Sequence, residues 1–323
     1  MRRHERQVFN YDFRVQRRAR LAPYPSFEDI VAAWAALFAA GDTDHQRERG
    51  DIVYRIGDFE IDQANRVVKL LIRRGDIHAA NPFFHDRATG NSRPVLRGAT
   101  EDGERAAHLV ISLDHEANQP TVYLGHLEGV PGIGHRQVQA HLNALIKRAI
   151  NNGLVGFSYA DPGGARTRAG DPKMHDYVPS IEMEGHPAAS VVNDLERGHF
   201  QSMVLIDRTP HNQLGGNQYL VERERYLIVS ASANMPRQGR MGAILAAAQS
   251  QQGNFQTARL RFKDPAGNQR QMDYDIATGA PQQQEYVQSY HVRNINPPMD
   301  DSSLTLTPFL TQRMVAQVVA DRT

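Results

Sequence analysis

Residues 106–150 read AAHLVISLDHEANQPTVYLGHLEGVPGIGHRQVQAHLNALIKRAI. Two apolar runs, His108–Leu113 and Thr121–Leu127, flank a polar turn, and a Gly/Pro corner at Gly129–Gly134 follows. Beyond the corner Val138, Leu142, Leu145 and Ile146 recur at helical spacing, with Arg136, Gln139, Asn143 and Lys147 on the other sides. Apolar runs bounded by turn residues predict strands, and an apolar period near 3.6 predicts an amphipathic helix. The stretch is therefore a hairpin feeding a helix, a unit on which a mixed α+β core is built. It carries no catalytic motif and reads as scaffold.

Segments on either side follow the same logic. Phe9, Tyr11, Phe13 and Val15 alternate with Asn10, Asp12, Arg14 and Gln16, which predicts a paired strand. Ser26 stands at an N-cap position before FEDIVAAWAALFAA, a helix that ends at Gly41 and places Trp34 on its apolar face. Residues 51–74 predict a second hairpin around an Asp62–Asn65 turn. Residues 75–105 and 161–177 are rich in Gly, Pro, Asn and charge and read as long loops, the first with one short strand. A new block from Val178 is expected to hold helices near 188–195 and 240–249 and strands at 200–207 and 219–230. A third hairpin, TARLRFKD and QRQMDYDI, flanks Pro265-Ala266-Gly267-Asn268. A strand at 285–292 and a final helix with Thr307 as N-cap and Pro308 in the first position complete the chain. The expected fold is α+β: an antiparallel-hairpin-rich globular domain of residues 1–177 plus 253–323, with a smaller α+β domain inserted at 178–252.

Composition narrows the function classes. The chain has 323 residues, 40% hydrophobic and 23% charged, as expected of folded globular proteins. A net charge of +1 excludes a global field that would drive nucleic-acid or membrane binding, so any such contact rests on local segregation of charge. The absence of cysteine excludes disulfides, thiol nucleophiles and zinc–thiolate or iron–sulfur sites. No apolar run approaches the roughly 20 residues of a membrane-spanning helix. The basic MRRHERQVFN at residues 1–10 lacks the apolar core of a secretory signal. The expectation is a soluble cytoplasmic protein.

The pattern with the clearest chemistry is Arg259, Arg261 and Lys263, alternating with Leu260 and Phe262. On a strand these cations project from one face about 6–7 Å apart. That is close to phosphate spacing along a nucleic-acid strand, and contacts to phosphates bind without sequence preference. Residues 1–20 carry seven arginines, of which Arg14, Arg17 and Arg18 extend such a surface if the two regions converge. Asp58, Glu60 and Asp62 also alternate, with Lys69 across the turn, and acids on adjacent strands beside a lysine are what a Mg²⁺-dependent nuclease needs. The short acidic-x-Lys element of such enzymes is missing. The fourteen histidines form no HExxH or HxH pair, Ser158 lacks a nucleophile-elbow setting, and the glycine clusters at 129–134, 163–164 and 215–216 lack the lysine and hydroxyl of a phosphate loop. No catalytic, cofactor-binding or metal-binding set is assigned.

The run IVYRIGDFEIDQANRVVKLLIRRGD at 52–76, AAHLVISL at 106–113 and TVYLGHLEGVPGIGHRQVQAHLNALI at 121–146, in that order, resembles a group of bacterial proteins distantly similar to RexA of phage exclusion systems. The hairpin TARLRFKDPAGNQRQMDYDI at 257–276 looks like the closing hairpin of that family, with Asp264, Ala266 and Gly267 in its turn. The likeness covers about two-thirds of the chain as an order of elements. It implies a globular α+β domain split around a smaller mobile one. It also implies a homodimer or higher homo-oligomer that binds DNA with little sequence preference, without covalent chemistry, in anti-phage defence beside a membrane-protein partner encoded nearby. Arg259, Arg261 and Lys263 carry over as DNA contacts; the arginine-rich first strand departs from the family pattern. Two alternatives stay open: the metal-dependent nuclease, and a sensor that binds a phage component through protein contacts alone.

Overall fold

The computed structural model describes every residue except 1, 118, 186–187, 209–223, 233–234, 236–238, 278–280, 283–285 and 323. The chain divides into two compact units, Met1–Met183 with Tyr290–Thr323, and Glu184–Ser289. The first holds β1 (Glu5–Gln16), α1 (Phe27–Ala39), β2 (His45–Arg47), β3 (Ile52–Asp62), β4 (Val67–Asp76), β5 (Phe83–His85), β6 (Ser92–Pro94), β7 (Gly103–Glu116), β8 (Gln119–Glu128), α2 (His135–Asn151), β9 (Ser158–Ala160) and β10 (Met174–Asp176). β11 (Ser180–Gly185) leads into the second unit, which holds α3 (Ala189–Arg197), β12 (His199–Asp207), β13 (Arg225–Ser230), α4 (Arg240–Gln249), β14 (Thr257–Lys263) and β15 (Gln269–Asp275). β16 (Ser289–Arg293) and α5 (Pro308–Asp321) return to the first.

The first unit is built on one sheet in the order β11-β1-β8-β7-β4-β3-β2, with β16 also paired to β1. The expected 106–150 unit supplies its centre, β7 and β8, and the helix α2 beside them. Side chains alternate between the two faces. One face meets α1 and α2: Phe27 stacks on Tyr123 at 4.5 Å, Tyr11 on His135 at 5.3 Å, and Trp34 donates its indole N–H to the Leu142 carbonyl at 3.2 Å. Gly125 lies under Phe13 on this face, where a Cβ would sit 2.3 Å from Phe13 Cε2. The other face is sealed by α5, whose Leu310, Met314, Val315 and Val318 pack with Val8, Val67 and Val110. Ser26 caps α1 as its position predicts, accepting the Asp29 N–H at 3.1 Å. Thr307 occupies the N-cap of α5, but its side chain makes no capping bond; its N–H goes instead to His108 Nε2 at 3.0 Å.

The second unit is a four-stranded antiparallel sheet, β13-β12-β14-β15, with α3 and α4 on one face. Leu195, Met241 and Ile244 from the helices pack on Phe200, Met203, Leu205, Leu260, Phe262, Met272 and Tyr274. This unit runs past the expected boundary at 252. The 257–275 hairpin belongs to it because β14 is the ladder partner of β12, in register Met203↔Leu260 and Leu205↔Ala258. Residues 75–105, expected as loop with one short strand, contain the separate two-stranded ribbon β5–β6. The 219–223 part of an expected strand and the glycine pair at 215–216 lie outside the described residues.

Candidate functional site

β14 has the predicted alternation. Ala258, Leu260 and Phe262 are buried under the helices, and Arg259, Arg261 and Lys263 project from the opposite face. Strand pairing surrounds the last two with polar neighbours: Ser202 and Gln271 flank Arg261, and His199 and Gln269 flank Lys263. Arg261 and Lys263 are exposed and make no ion pair or hydrogen bond among the described residues. Two uncommitted cations beside serine, glutamine and histidine side chains make a surface of donors suited to phosphate oxygens.

Arg259 differs. Asp273 stands directly opposite and takes both Nε (2.8 Å) and Nη2 (2.9 Å) of its guanidinium. That bidentate bond pushes the Arg259 pKa up, against the opposing effect of burial. Its charge is matched within the sheet, so the row presents two free cations where the alternation predicts three. The register holds the signal: counting outward from the 264–268 turn brings Asp273 beside Arg259.

Arg14, Arg17 and Arg18 fall in the first unit, and Arg259, Arg261 and Lys263 in the second. Arg14 is half-buried on β1. Arg17 donates to the Ala22 carbonyl at 2.8 Å and lies over the Tyr24 ring at 4.7 Å. Arg18, at φ 49°, donates from Nε to Ser180 Oγ at 3.0 Å. Arg17 thus fastens the segment after β1, and Arg18 ties that segment to β11.

The acidic alternation on β3 also resolves. Asp58 is occupied by backbone: its oxygens accept the Phe59 N–H at 2.9 Å and the Leu306 N–H at 2.8 Å, which holds the approach to α5. Glu60 and Asp62 both pair with Lys69 Nζ, at 2.8 and 3.1 Å. Bonds from Asn65 first, and from Lys69, hold the Asp62 carboxyl down at about 2, against burial. Burial pulls Lys69 down, but its bonds to Glu60 and Asp62 outweigh it and leave the pKa raised. A lysine held charged takes no proton from water. Among the described residues no group of three or more His, Cys, Asp or Glu side chains is placed to hold a metal ion.

Two buried polar networks in the first unit are internal to the fold. Glu128 accepts from His108 Nδ1 at 2.7 Å and pairs with Arg6 Nε at 2.7 Å. His126 meets Tyr290 Oη at 3.0 Å and Asp321 at 3.3 Å. Both join the sheet to α5 or the segment before it.

Among the described residues, no helix is long and apolar enough to cross a membrane. No family model, curated protein or solved structure matches the chain.

Proposed function

We propose that the protein is a non-catalytic, sequence-tolerant DNA-binding protein of a RexA-like phage-exclusion system, acting in the cytoplasm as a homo-oligomer beside a membrane-protein partner. The observation that carries the DNA-binding part is the pair Arg261 and Lys263, exposed, unpaired among the described residues and ringed by hydrogen-bond donors. Among the described residues an ion-pair partner is present for Arg259 and absent for its two neighbours on the same strand face. Backbone charge contacts of this kind bind any sequence and weaken steeply with salt. The defence assignment rests on the ordered resemblance of 52–76, 106–146 and 257–276 to the RexA group. Support for self-association is the edge strand β13, where Tyr226, Leu227, Ile228 and Val229 are 54%, 44%, 68% and 38% exposed.

The test is binding to mixed-sequence duplex DNA across a salt series. Arg261→Glu with Lys263→Glu is expected to weaken binding at low salt by about tenfold or more and to flatten the dependence on log salt by roughly two phosphate contacts. Arg259→Gln is expected to weaken it far less, because that charge is already matched. Undiminished binding by the folded double variant removes this surface from the reading. Cleavage of the DNA with Mg²⁺, lost in Glu60→Gln, replaces it with the nuclease.

A further inference from the structure

The ribbon β5–β6 is a built element without a core. Arg97 fastens its base, donating Nε to Asn81 Oδ1 at 3.0 Å, Nη1 to the Asp76 carbonyl at 3.1 Å and Nη2 to the Ile77 and Ala79 carbonyls. Asp86 closes its tip: its carboxylate accepts the Ala88 N–H at 2.8 Å, and the Asp86 N–H meets the Asn91 carbonyl at 2.8 Å. Between base and tip the strands pair Phe83↔Pro94, Phe84↔Arg93 and His85↔Ser92. Every residue from 82 to 96 is nonetheless exposed, with Phe83 at 70%, Phe84 at 58% and Leu96 at 73%. A lone two-stranded ribbon is marginal in water, and apolar surface left open on a folded element marks a contact with something else.

Its chemistry selects the occupant. Phe84 and Arg93 stand side by side on one face. Arg87 and Arg93 have no ion pair or hydrogen bond among the described residues, and the one acid of the ribbon, Asp86, is consumed by the turn. An aromatic ring beside free guanidinium groups is the combination that stacks on bases and neutralises their phosphates. A lipid bilayer would be met by an apolar tip, whereas here the tip, 86–91, is DRATGN and the apolar residues sit on the stem. Ladder pairing with a second copy is opposed by Pro82 and Pro94, which have no N–H to donate. A DNA duplex hides the base faces that a phenyl ring would cover; an unpaired strand offers them.

We infer that the 82–96 ribbon is a stacking arm for unpaired nucleic acid, with Phe84 on a base and Arg87 and Arg93 on phosphates. This rests on the reading that the protein binds nucleic acid, and extends it to a second surface with a different preference. In the full chain, Phe84→Trp places a fluorophore on the arm, and the native Trp34, 0% exposed, supplies a constant background. Oligodeoxythymidylate is expected to quench the new emission. Phe83→Ser with Phe84→Ser is expected to weaken oligodeoxythymidylate binding by about tenfold per stacked ring, with binding to duplex unchanged. Both sites lie outside the core, so the fold is expected to persist, checked by circular dichroism. Oligonucleotide binding without quenching overturns the arm. Quenching by phosphatidylglycerol vesicles and not by the oligonucleotide reassigns it to a membrane surface. Persistent quenching in a chain whose duplex binding ignores Arg261→Glu with Lys263→Glu leaves the arm standing and removes only the β14 surface. No binding of any oligonucleotide by the wild-type chain ends both.

Discussion

Glu128 sits between two basic side chains with 1% of its surface exposed, against 2% for Arg6 and 1% for His108. The Arg6 contact is close, 2.7 Å, but its N–H does not point at the carboxylate oxygen, so the attraction is of charge more than of a directed hydrogen bond. Removing one member of a buried pair strands the other charge, which costs about 3–5 kcal/mol. Glu128→Ala is therefore expected to lower unfolding free energy by about that amount in a denaturant titration, with a shift of midpoint and an unchanged slope. A loss below about 1 kcal/mol would mean that water reaches Arg6 once the carboxylate is gone. His141 makes the opposite kind of demand. It is fully buried on α2, its ring nearly parallel to His45 at 5.9 Å, and both ring nitrogens lack hydrogen-bond partners among the described residues. Burial, then the charges of His45 and Arg148, pulls its pKa down to about 3; burial and Arg136 pull His135 to about 4. Unfolding restores both to about 6.5, so as pH falls below that value the unfolded chain takes up protons that the folded chain refuses. Stability is thus whole above pH 6.5 and lost progressively down to about 3–4, with a slope of at most roughly 1.4 kcal/mol per pH unit for each histidine. His141→Phe keeps the ring and removes the titration. It is expected to flatten the stability profile between pH 6.5 and 4, while leaving the profile above pH 7 parallel to wild type.

Elements whose information is local are those legible in the chain. β1, α1, the β3–β4 and β7–β8 hairpins, α2, α4, the β14–β15 hairpin and α5 each announce themselves by apolar period and by a turn or cap residue. The β5–β6 ribbon does not, since three-residue strands with a proline in the register show no period. Helical spacing alone predicts Val319 on the inner stripe of α5, yet it is 39% exposed, because the apolar part of that stripe narrows to Leu310, Met314, Val315 and Val318. Unit boundaries are harder still. The pairing of β12 with β14 joins positions about fifty to sixty-five residues apart, from Ile206↔Thr257 to His199↔Lys263, and nothing within either strand specifies its partner. The candidate site shows the same division. The alternation exposing Arg261 and Lys263 was visible, whereas the neutralisation of Arg259 needed the cross-strand register. Close approach between elements is equally invisible in composition, and Gly125 is the case in point. It has no unusual φ; its role is to let the Phe13 ring lie against β8. Gly125→Ala is expected to cost about 1–3 kcal/mol through overpacking, read as a lowered thermal midpoint. Pairing the change with Phe13→Leu, which vacates the space, is expected to recover part of the loss.

At the scale of the whole molecule, each unit has its own core, and the second exposes a strand edge that most proteins protect. β13 is the outer strand of its sheet, with RYLIVS as its sequence and four successive large apolar residues exposed. The opposite edge, β15, carries Gln269, Arg270, Gln271, Asp273 and Asp275, the polar and charged residues that discourage strand addition. β13 has no proline, lysine or bulge to do the same. An antiparallel pairing of β13 with a second copy, centred on Ile228, would be isologous and closed, joining two four-stranded sheets into one of eight. It would bring Leu227 of each copy opposite Val229 of the other and Tyr226 opposite Ser230, so that no like charges meet. Ile228 is the most exposed of the four and lies at the centre of this pairing, opposite its own counterpart. Ile228→Lys therefore sets two ammonium groups close together across the seam, while its outward side chain leaves the core of the unit untouched. The wild-type chain is expected to scatter light as a dimer and Ile228→Lys as a monomer, with the same circular dichroism. A monomeric wild type, or a variant that remains dimeric, removes β13 as the interface. DNA binding read alongside separates avidity from contact: at concentrations where wild type is dimeric, the monomer is expected to bind duplex more weakly than wild type but with Arg261 and Lys263 still contributing to its salt dependence.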